Sequence, residues 1–308
     1  MTAALIIAAG KTDRKDRFTP EKQLGAITAL ERIVTLFKLA GIRRIVVVGD
    51  ENELPQKLVP AMDLVFLTAS AEGEMLDSIK KGLFYLKDKC RGVLITYADI
   101  PMFSRQTVEQ LLGGCEEARI PAYRGRCGHP VLLRAECFDR ILSYNGGGGL
   151  KGAMQSAGIR KQIIETDDAG ILAEGKLGTA YERLLPDHDL TKLRASFQIR
   201  ISREKGFYGP GVHHLLQLTE EFGSLSRACE HMGMSYTKGR KIIAVMEEQL
   251  GVPVLETRQG GRNGGFSRLT EEAKHMMNCY SAFREEAESV LSELFQKHFS
   301  GGKENDAG

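Results

Sequence analysis

The 308 residues carry 42 Lys and Arg against 40 Asp and Glu, a net charge of +2, with 42% hydrophobic residues and 34 glycines. This balance excludes a chain that grips nucleic acid through its whole surface, so any such binding must come from a local basic patch; the length predicts two domains. The 6 cysteines are scattered with no C-x-x-C pair, and neither a signal segment nor an apolar run of spanning length is present, which leads us to expect reduced thiols in a soluble, cytoplasmic protein.

From residue 1 to about 192, short runs rich in Val, Ile and Leu alternate with amphipathic stretches. "ALIIAA", "RRIVVVGD", "DLVFLTA" and "GVLITYAD" read as buried strands, whereas "ALERIVTLFKLAG" and "MLDSIKKGLFYLKD" place apolar residues at helical spacing. The alternation predicts right-handed β-α-β units on a mostly parallel sheet, a Rossmann-like α/β domain.

The loop after the first strand, "AAGKTDRKDRFTPEK", is not a P-loop, because the first glycine of that motif would fall on Leu5 inside the strand. It is not a dinucleotide fingerprint either, since only Gly10 is available. What remains is a strand ending in Ala8, Ala9 and Gly10, followed by Lys11, Arg14, Lys15, Arg17 and Lys22. Backbone N–H groups and fixed cations at a strand's carboxyl end can hold a polyphosphate; the alternative is a solvated charged turn. Asp99 follows the later strand and lands at the same edge, where a carboxylate can hold a Mg²⁺ that bridges phosphates, or else cap the turn before Pro101.

Four stretches, "AAGKTDR" with Lys22, "EGEMLDSIKKGL", "YADIP" and "GHPVLL", resemble the nucleotidyltransferases of the molybdenum-cofactor family, in the branch similar to molybdopterin cytidylyltransferase. The resemblance covers most of residues 1–185. It implies that Ala8, Ala9, Gly10, Lys11, Arg14 and Lys22 bind the triphosphate of CTP or a related nucleotide, with Lys22 and Arg14 as the catalytic cations. It further implies that Gly73 and Ser78 sit near the base, that Asp99 holds Mg²⁺, and that Gly128, His129 and Pro130, with Arg124 and Arg126 beside them, meet the molybdopterin phosphate. The implied reaction is attack of that phosphate on the nucleotide's α-phosphorus with loss of pyrophosphate, carried by positioning and charge neutralisation.

The chain departs from the family at three places. Where the family has D-x-D-T-P-E-D, this sequence reads "ILAEGKLGTAYERLL", with Glu174 and Lys176 in place of the two leading aspartates, Gly178 for the proline and Ala180 for the last aspartate. The family's G-D-x-G turn is "NGGGGLKGAM" here, and its Met-Gly after the first arginine is Lys15-Asp16. Asp99 would then hold the metal alone. The alternative is a domain that senses a nucleotide or cofactor without turnover. A sugar-nucleotide pyrophosphorylase shares the loop chemistry but leaves the second half unexplained.

After a junction at 193–206, the rhythm changes to short helices, opening with "GPGVHHLLQLTEEFG". "GSLSRACEHMGMSYTKGRKIIAVMEEQLG" reads as helix, Gly-containing turn and helix, with Ser224 and Ser235 as N-caps. The second helix offers Tyr236, Thr237, Lys238, Arg240 and Lys241 in its first turns, the part that enters a major groove, and turns Ile242, Ile243, Val245, Met246 and Leu250 inward. "VPVLETRQGGRNGGFSRLT" then predicts a hairpin with Arg258, Arg262 and Arg268 available to DNA phosphates; a protein-interaction hairpin is the alternative. Together these make an α+β winged helix-turn-helix domain at 207–300.

Its residues 207–299 resemble the LysR-type amino-terminal domain of the molybdate-responsive transcription regulator, which implies double-stranded DNA as a partner. Ala273, Met276, Tyr280, Phe283, Ala287, Val290 and Leu294 recur in threes and fours, a seam of about three heptads. It predicts a long C-terminal helix that makes a homodimer, or one that packs on its own domain. Residues 301–308 offer nothing apolar to bury and are expected to be disordered.

Overall fold

The computed structural model describes residues 1–8, 20–50, 64–69, 73–173, 178–258 and 266–299, and the chain divides into two units, Met1–Lys192 and Leu193–Gly308. In the first unit the elements run β1 (Thr2–Ile7), β2 (Gln23–Leu24), β3 (Ile27–Thr28), α1 (Ala29–Leu39), β4 (Arg44–Gly49), β5 (Val65–Thr68) and α2 (Met75–Leu86). They continue with β6 (Gly92–Tyr97), α3 (Arg105–Leu112), β7 (Ala118–Tyr123), β8 (Arg126–Cys127), β9 (Val131–Arg134), α4 (Phe138–Leu142), α5 (Gly149–Ser156), β10 (Lys161–Glu165) and α6 (Gly178–Leu184).

The central strands β1, β4 and β6 are apolar on both faces because both faces are covered. Ala4 and Ile6 of β1 join the cluster formed by Leu30, Ile33, Val34 and Phe37 of α1. Leu5 points the other way, into α2, where a Cβ on Gly82 would stand 2.3 Å from Leu5 Cδ1. That approach accounts for a glycine inside a helix, a position it otherwise weakens by about 1 kcal/mol. Helix α1 starts at a capping box, in which the Glu31 amide donates to Thr28 Oγ1 (3.2 Å) and the Thr28 amide to Glu31 Oε2 (2.7 Å).

The sheet has eight strands in the order β10-β7-β9-β6-β1-β4-β5, with β8 paired to β7. Strands β4 and β6 flank β1 in parallel, β5 extends β4 in parallel, and β10 runs parallel to β7. The sheet is mixed and mostly parallel; β9 lies antiparallel between β6 and β7, and β8 antiparallel to β7. Every parallel strand therefore ends at one edge, and β9 begins there. This is the geometry in which open α/β sheets gather ligands at a switch point.

The second unit holds β11 (Ile201–Ser202), β12 (Gly206–Tyr208), α7 (Pro210–Phe222), α8 (Leu225–His231), α9 (Tyr236–Leu250), β13 (Leu255–Arg258), β14 (Phe266–Leu269) and α10 (Glu271–Phe299). Ser224 and Ser235 accept from the amides of Arg227 (3.4 Å) and Lys238 (3.3 Å), so both N-caps form. Strands β13 and β14 pair antiparallel. Gly239 lets α9 approach α8, since a Cβ there would lie 2.3 Å from Cys229 Sγ.

Three expectations change here. Residues 193–206 are more than a junction: β11 pairs with β12, Arg203 donates to the Gln249 carbonyl (2.6 Å) and Ile199 accepts from the Tyr280 hydroxyl (2.9 Å). Val245 does not pack inward but is 38% exposed, because Gly239, Ile243, Met246 and Gln249 form the buried face and Val245 falls about 200° around the helix from Ile243. The C-terminal stripe divides in two. Ala273 and Tyr280 are buried in their own unit, Tyr280 with its ring 4.9 Å from that of Tyr208 and 5.0 Å from His213, whereas Phe283, Val290 and Leu294 are 53%, 55% and 44% exposed. Residues 301–308 lie outside the described residues. No helix among the described residues is long and apolar enough to cross a membrane.

Candidate functional site

The carboxyl edge of the sheet collects the predicted residues that can be described. Ala8 follows β1 and is tied by its amide to the Val48 carbonyl at the end of β4 (2.8 Å). The Ala98 amide donates to the Ile7 carbonyl (2.9 Å), so the turn that carries Asp99 is fastened beside the end of β1. Asp99 is half-buried. Lys22 returns to the same edge through the β2-β3 hairpin, its carbonyl accepting from the Ala29 amide at the start of α1 (2.9 Å). Ala9, Gly10, Lys11 and Arg14 lie outside the described residues, as do Glu174 and Lys176.

Lys22 and Asp99 meet through Tyr181 of α6, a residue the motif reading passed over. The Lys22 ammonium stands 5.7 Å from the centroid of the Tyr181 ring, and the Tyr181 hydroxyl donates to the Asp99 carbonyl. The ring is 2% exposed and packs with Leu24, Ala29, Met102 and Ala173. Among the described residues no three His, Cys, Asp or Glu side chains converge as a metal set. A single carboxylate still suits Mg²⁺, which keeps several waters and takes phosphate oxygens as its other ligands.

Gly128, His129 and Pro130 precede β9 and so face the same edge. A Cβ on Gly128 would meet the Ile171 carbonyl oxygen at 2.4 Å, and that carbonyl accepts from the His129 amide (3.0 Å). The imidazole packs tilted by 59° against the Tyr97 ring, centroids 4.5 Å apart, with Nδ1 3.4 Å from the Ile95 carbonyl. Burial pushes the His129 pKa down to about 4 and, with the Asp99 charge, raises that of Tyr97. Without a ligand His129 is therefore neutral at neutral pH, able to donate or accept a hydrogen bond. Arg124 and Gly125, with φ of 50° and 75°, make the tight turn between β7 and β8. Arg124 lines a cavity of about 560 Å³ with Tyr123, Glu165, Thr166 and Asp167, two strands away from β6, and Arg126 is exposed beside it. Gly73 stands just ahead of α2, while Ser78, in its second turn, is buried and turned from solvent.

A buried polar lock under the hairpin supports this edge. Arg32, 3% exposed, donates to the Leu24 carbonyl (2.7 Å) and to His188 Nδ1 (3.0 Å). His188 Nδ1 also accepts from the Leu190 amide (3.3 Å), which leaves Nε2–H to donate to the Phe103 carbonyl (3.3 Å). Burial, with Arg32 beside it, pushes the His188 pKa down to about 4. The unfolded chain takes up this proton near 6.5, so the stabilisation is complete above about pH 6.5 and is lost as pH falls toward 4. A His188→Gln variant, whose amide oxygen can accept the same bonds, should recover roughly 2 kcal/mol of the stability that urea unfolding shows lost between pH 7 and 4.5. An unchanged pH slope would contradict the neutral buried imidazole.

In the second unit, Tyr236, Thr237, Lys238, Arg240 and Lys241 are all exposed in the first turns of α9. Arg268 is exposed on β14, the backbone of Arg258 pairs with Phe266, and Arg262 lies outside the described residues. The apolar remainder of the helix is what holds this basic face outward.

The crystal structure of Rv0371c from Mycobacterium tuberculosis H37Rv matches with a TM-score of 0.51 at 18% identity, covering 60% of this chain and 98% of that one. A nucleotidyl transferase from Methanothermobacter thermautotroptrophicus matches with a TM-score of 0.53 at 19% identity, covering 62% and 99%. At such identities the likeness is one of fold. An 83-residue stretch is 30% identical to the molybdenum transport protein ModE of Azotobacter vinelandii, 27% of this chain, and the chain spans about a third (31%) of that relative's length. A family model described as the MobA-like NTP transferase domain matches residues 4–162, from within the first strand of the large sheet into its last. Because that match takes in more than half of the sequence, the chain belongs to the MobA-like NTP transferase family.

Proposed function

We propose that the first unit binds a nucleoside triphosphate, CTP before others, and transfers its nucleotidyl group to the phosphate of molybdopterin, and that the second unit is a winged helix-turn-helix that binds double-stranded DNA. The observation that carries the enzymatic reading is the convergence of Lys22 and Asp99 on Tyr181 at the carboxyl edge beside β1, with His129 facing the same edge. Lys22 would neutralise the phosphates, together with Arg14. Asp99 would hold Mg²⁺, which when bound supplies charge neutralisation on the phosphate oxygens. Gly73 and Ser78 would border the base. Gly128, His129 and Pro130, with Arg124 and Arg126, would receive the second substrate, the neutral imidazole donating or accepting a hydrogen bond while the arginines carry the charge.

The DNA reading is supported by the exposed cations of α9, the antiparallel hairpin after it, and the kinship with a molybdenum transport protein. The exposed Phe283, Val290 and Leu294 support a homodimer through α10, which would suit paired half-sites.

A second reading is favoured by the sequence at 174–180, where Lys176 and Ala180 stand in place of expected aspartates: a transcription regulator whose first domain senses nucleotide or cofactor without turnover. One assay separates the two. Purified protein given molybdopterin, Mg²⁺ and each of CTP, GTP and ATP should release pyrophosphate, fastest with CTP. Nucleotide binding without release, together with a nucleotide-dependent change in DNA affinity, selects the sensor. If neither binding nor release occurs, both readings fall.

A further inference from the structure

Tyr181 brings together two residues far from it in sequence. It is 82 positions from Asp99, and Lys22 lies near the opposite end of the same unit. Its ring is closed in by Leu24, Ala29, Met102 and Ala173, and its hydroxyl, the polar handle that a buried tyrosine must satisfy, donates to the main chain of Asp99. Packing alone would be served as well by phenylalanine or leucine. The hydroxyl is directed at the peptide that orients the Asp99 side chain, and the ring face lies under the Lys22 ammonium within the range of a cation–π contact.

We propose that Tyr181 is a positioning residue that couples the phosphate-binding lysine to the metal-binding aspartate, the ring restraining Lys22 and the hydroxyl restraining Asp99. A lysine on a four-carbon stem loses much rotamer freedom when it grips a phosphate, and a ring face that already limits the ammonium reduces that loss. A carboxylate that holds a metal depends on the bonds that orient it, and the Tyr181 hydroxyl fixes the main chain from which the Asp99 side chain springs. The inference rests on the nucleotide- and metal-binding reading given above.

The two halves of the clamp are separable. Tyr181→Phe keeps the ring and removes the hydroxyl; Tyr181→Leu removes both. CTP binding without metal is measured by calorimetry, and Mn²⁺ binding to the CTP complex by electron paramagnetic resonance. For Tyr181→Phe we expect wild-type CTP affinity and a Mn²⁺ affinity about tenfold weaker. For Tyr181→Leu we expect CTP affinity to fall about threefold as well, with no further fall when the change is made in Lys22→Ala, since the ring acts through that lysine. A Phe variant that binds Mn²⁺ as the wild type does, or a Leu effect that persists undiminished without Lys22, overturns the coupling. If Tyr181→Leu fails to fold, the Phe variant still decides the hydroxyl half. Wild-type protein that binds neither CTP nor Mn²⁺ overturns the reading beneath as well, so the two failures are told apart.

Discussion

Gly170→Ala is expected to cost the first unit about 3 kcal/mol and to lower its melting temperature by roughly 6–12 °C. A Cβ at residue 170 would stand 1.8 Å from the Met102 carbonyl oxygen and 2.4 Å from its carbon. Neither side can give way. On one side Asp168 Oδ1 holds the Gly170 amide (2.9 Å), and Asp168 Oδ2 accepts from the Ser104 amide and from Thr107 Oγ1, both at 2.6 Å. On the other, the main chain that carries Met102 runs on from the Asp99 turn at the carboxyl edge. The methyl group is thus set against two stretches of backbone already clamped together by one carboxylate. Gly147→Ala is the control, because a Cβ there meets nothing within 4 Å, and it should change stability by no more than about 0.5 kcal/mol. Thermal unfolding followed by circular dichroism checks both. A Gly170→Ala protein that melts within about 2 °C of wild type would mean that the approach relaxes freely.

The second large effect is expected on DNA. Replacing Lys238, Arg240 and Lys241 together by alanine should weaken binding to a duplex on the order of a hundredfold near 0.1 M salt, and should lower the slope of log affinity against log salt by about three for each copy of the chain bound. All three side chains are exposed, so folding should survive, and Ile243 and Met246, fully buried on the opposite face of α9, remain untouched. Titration of a duplex of arbitrary sequence at several salt concentrations is sufficient, because the term being removed is electrostatic and largely independent of sequence. A triple variant with wild-type slope would remove α9 from the DNA interface.

The difference between what could and could not be read from residues is visible at particular positions. The strands around β1 were legible because runs such as "RIVVVG" have no polar face to offer. Helix α1 was legible because its apolar spacing is helical, and the caps Ser224 and Ser235 because an N-cap bonds only two or three residues ahead. Val245 was misplaced because a list of apolar residues in a helix does not say where the buried arc ends. Strand β9 entered the sheet against the prevailing direction with only four residues, too short a run for periodicity to give its sense. The Arg32–His188 lock was illegible, since its partners are 156 residues apart and each alone reads as an ordinary surface residue.

By itself the sequence determined the local elements and the mostly parallel sheet of the first unit, because strand burial, helical period and capping act over a few residues. Only the tertiary structure decided that Tyr181 stands between Lys22 and Asp99, that Gly128 and Gly170 must be glycine, and that Ala273 and Tyr280 of the C-terminal apolar stripe are buried within their own unit. Those outcomes depend on segments distant along the chain approaching to within a few ångströms, and close packing leaves no trace of them in the local pattern of either partner.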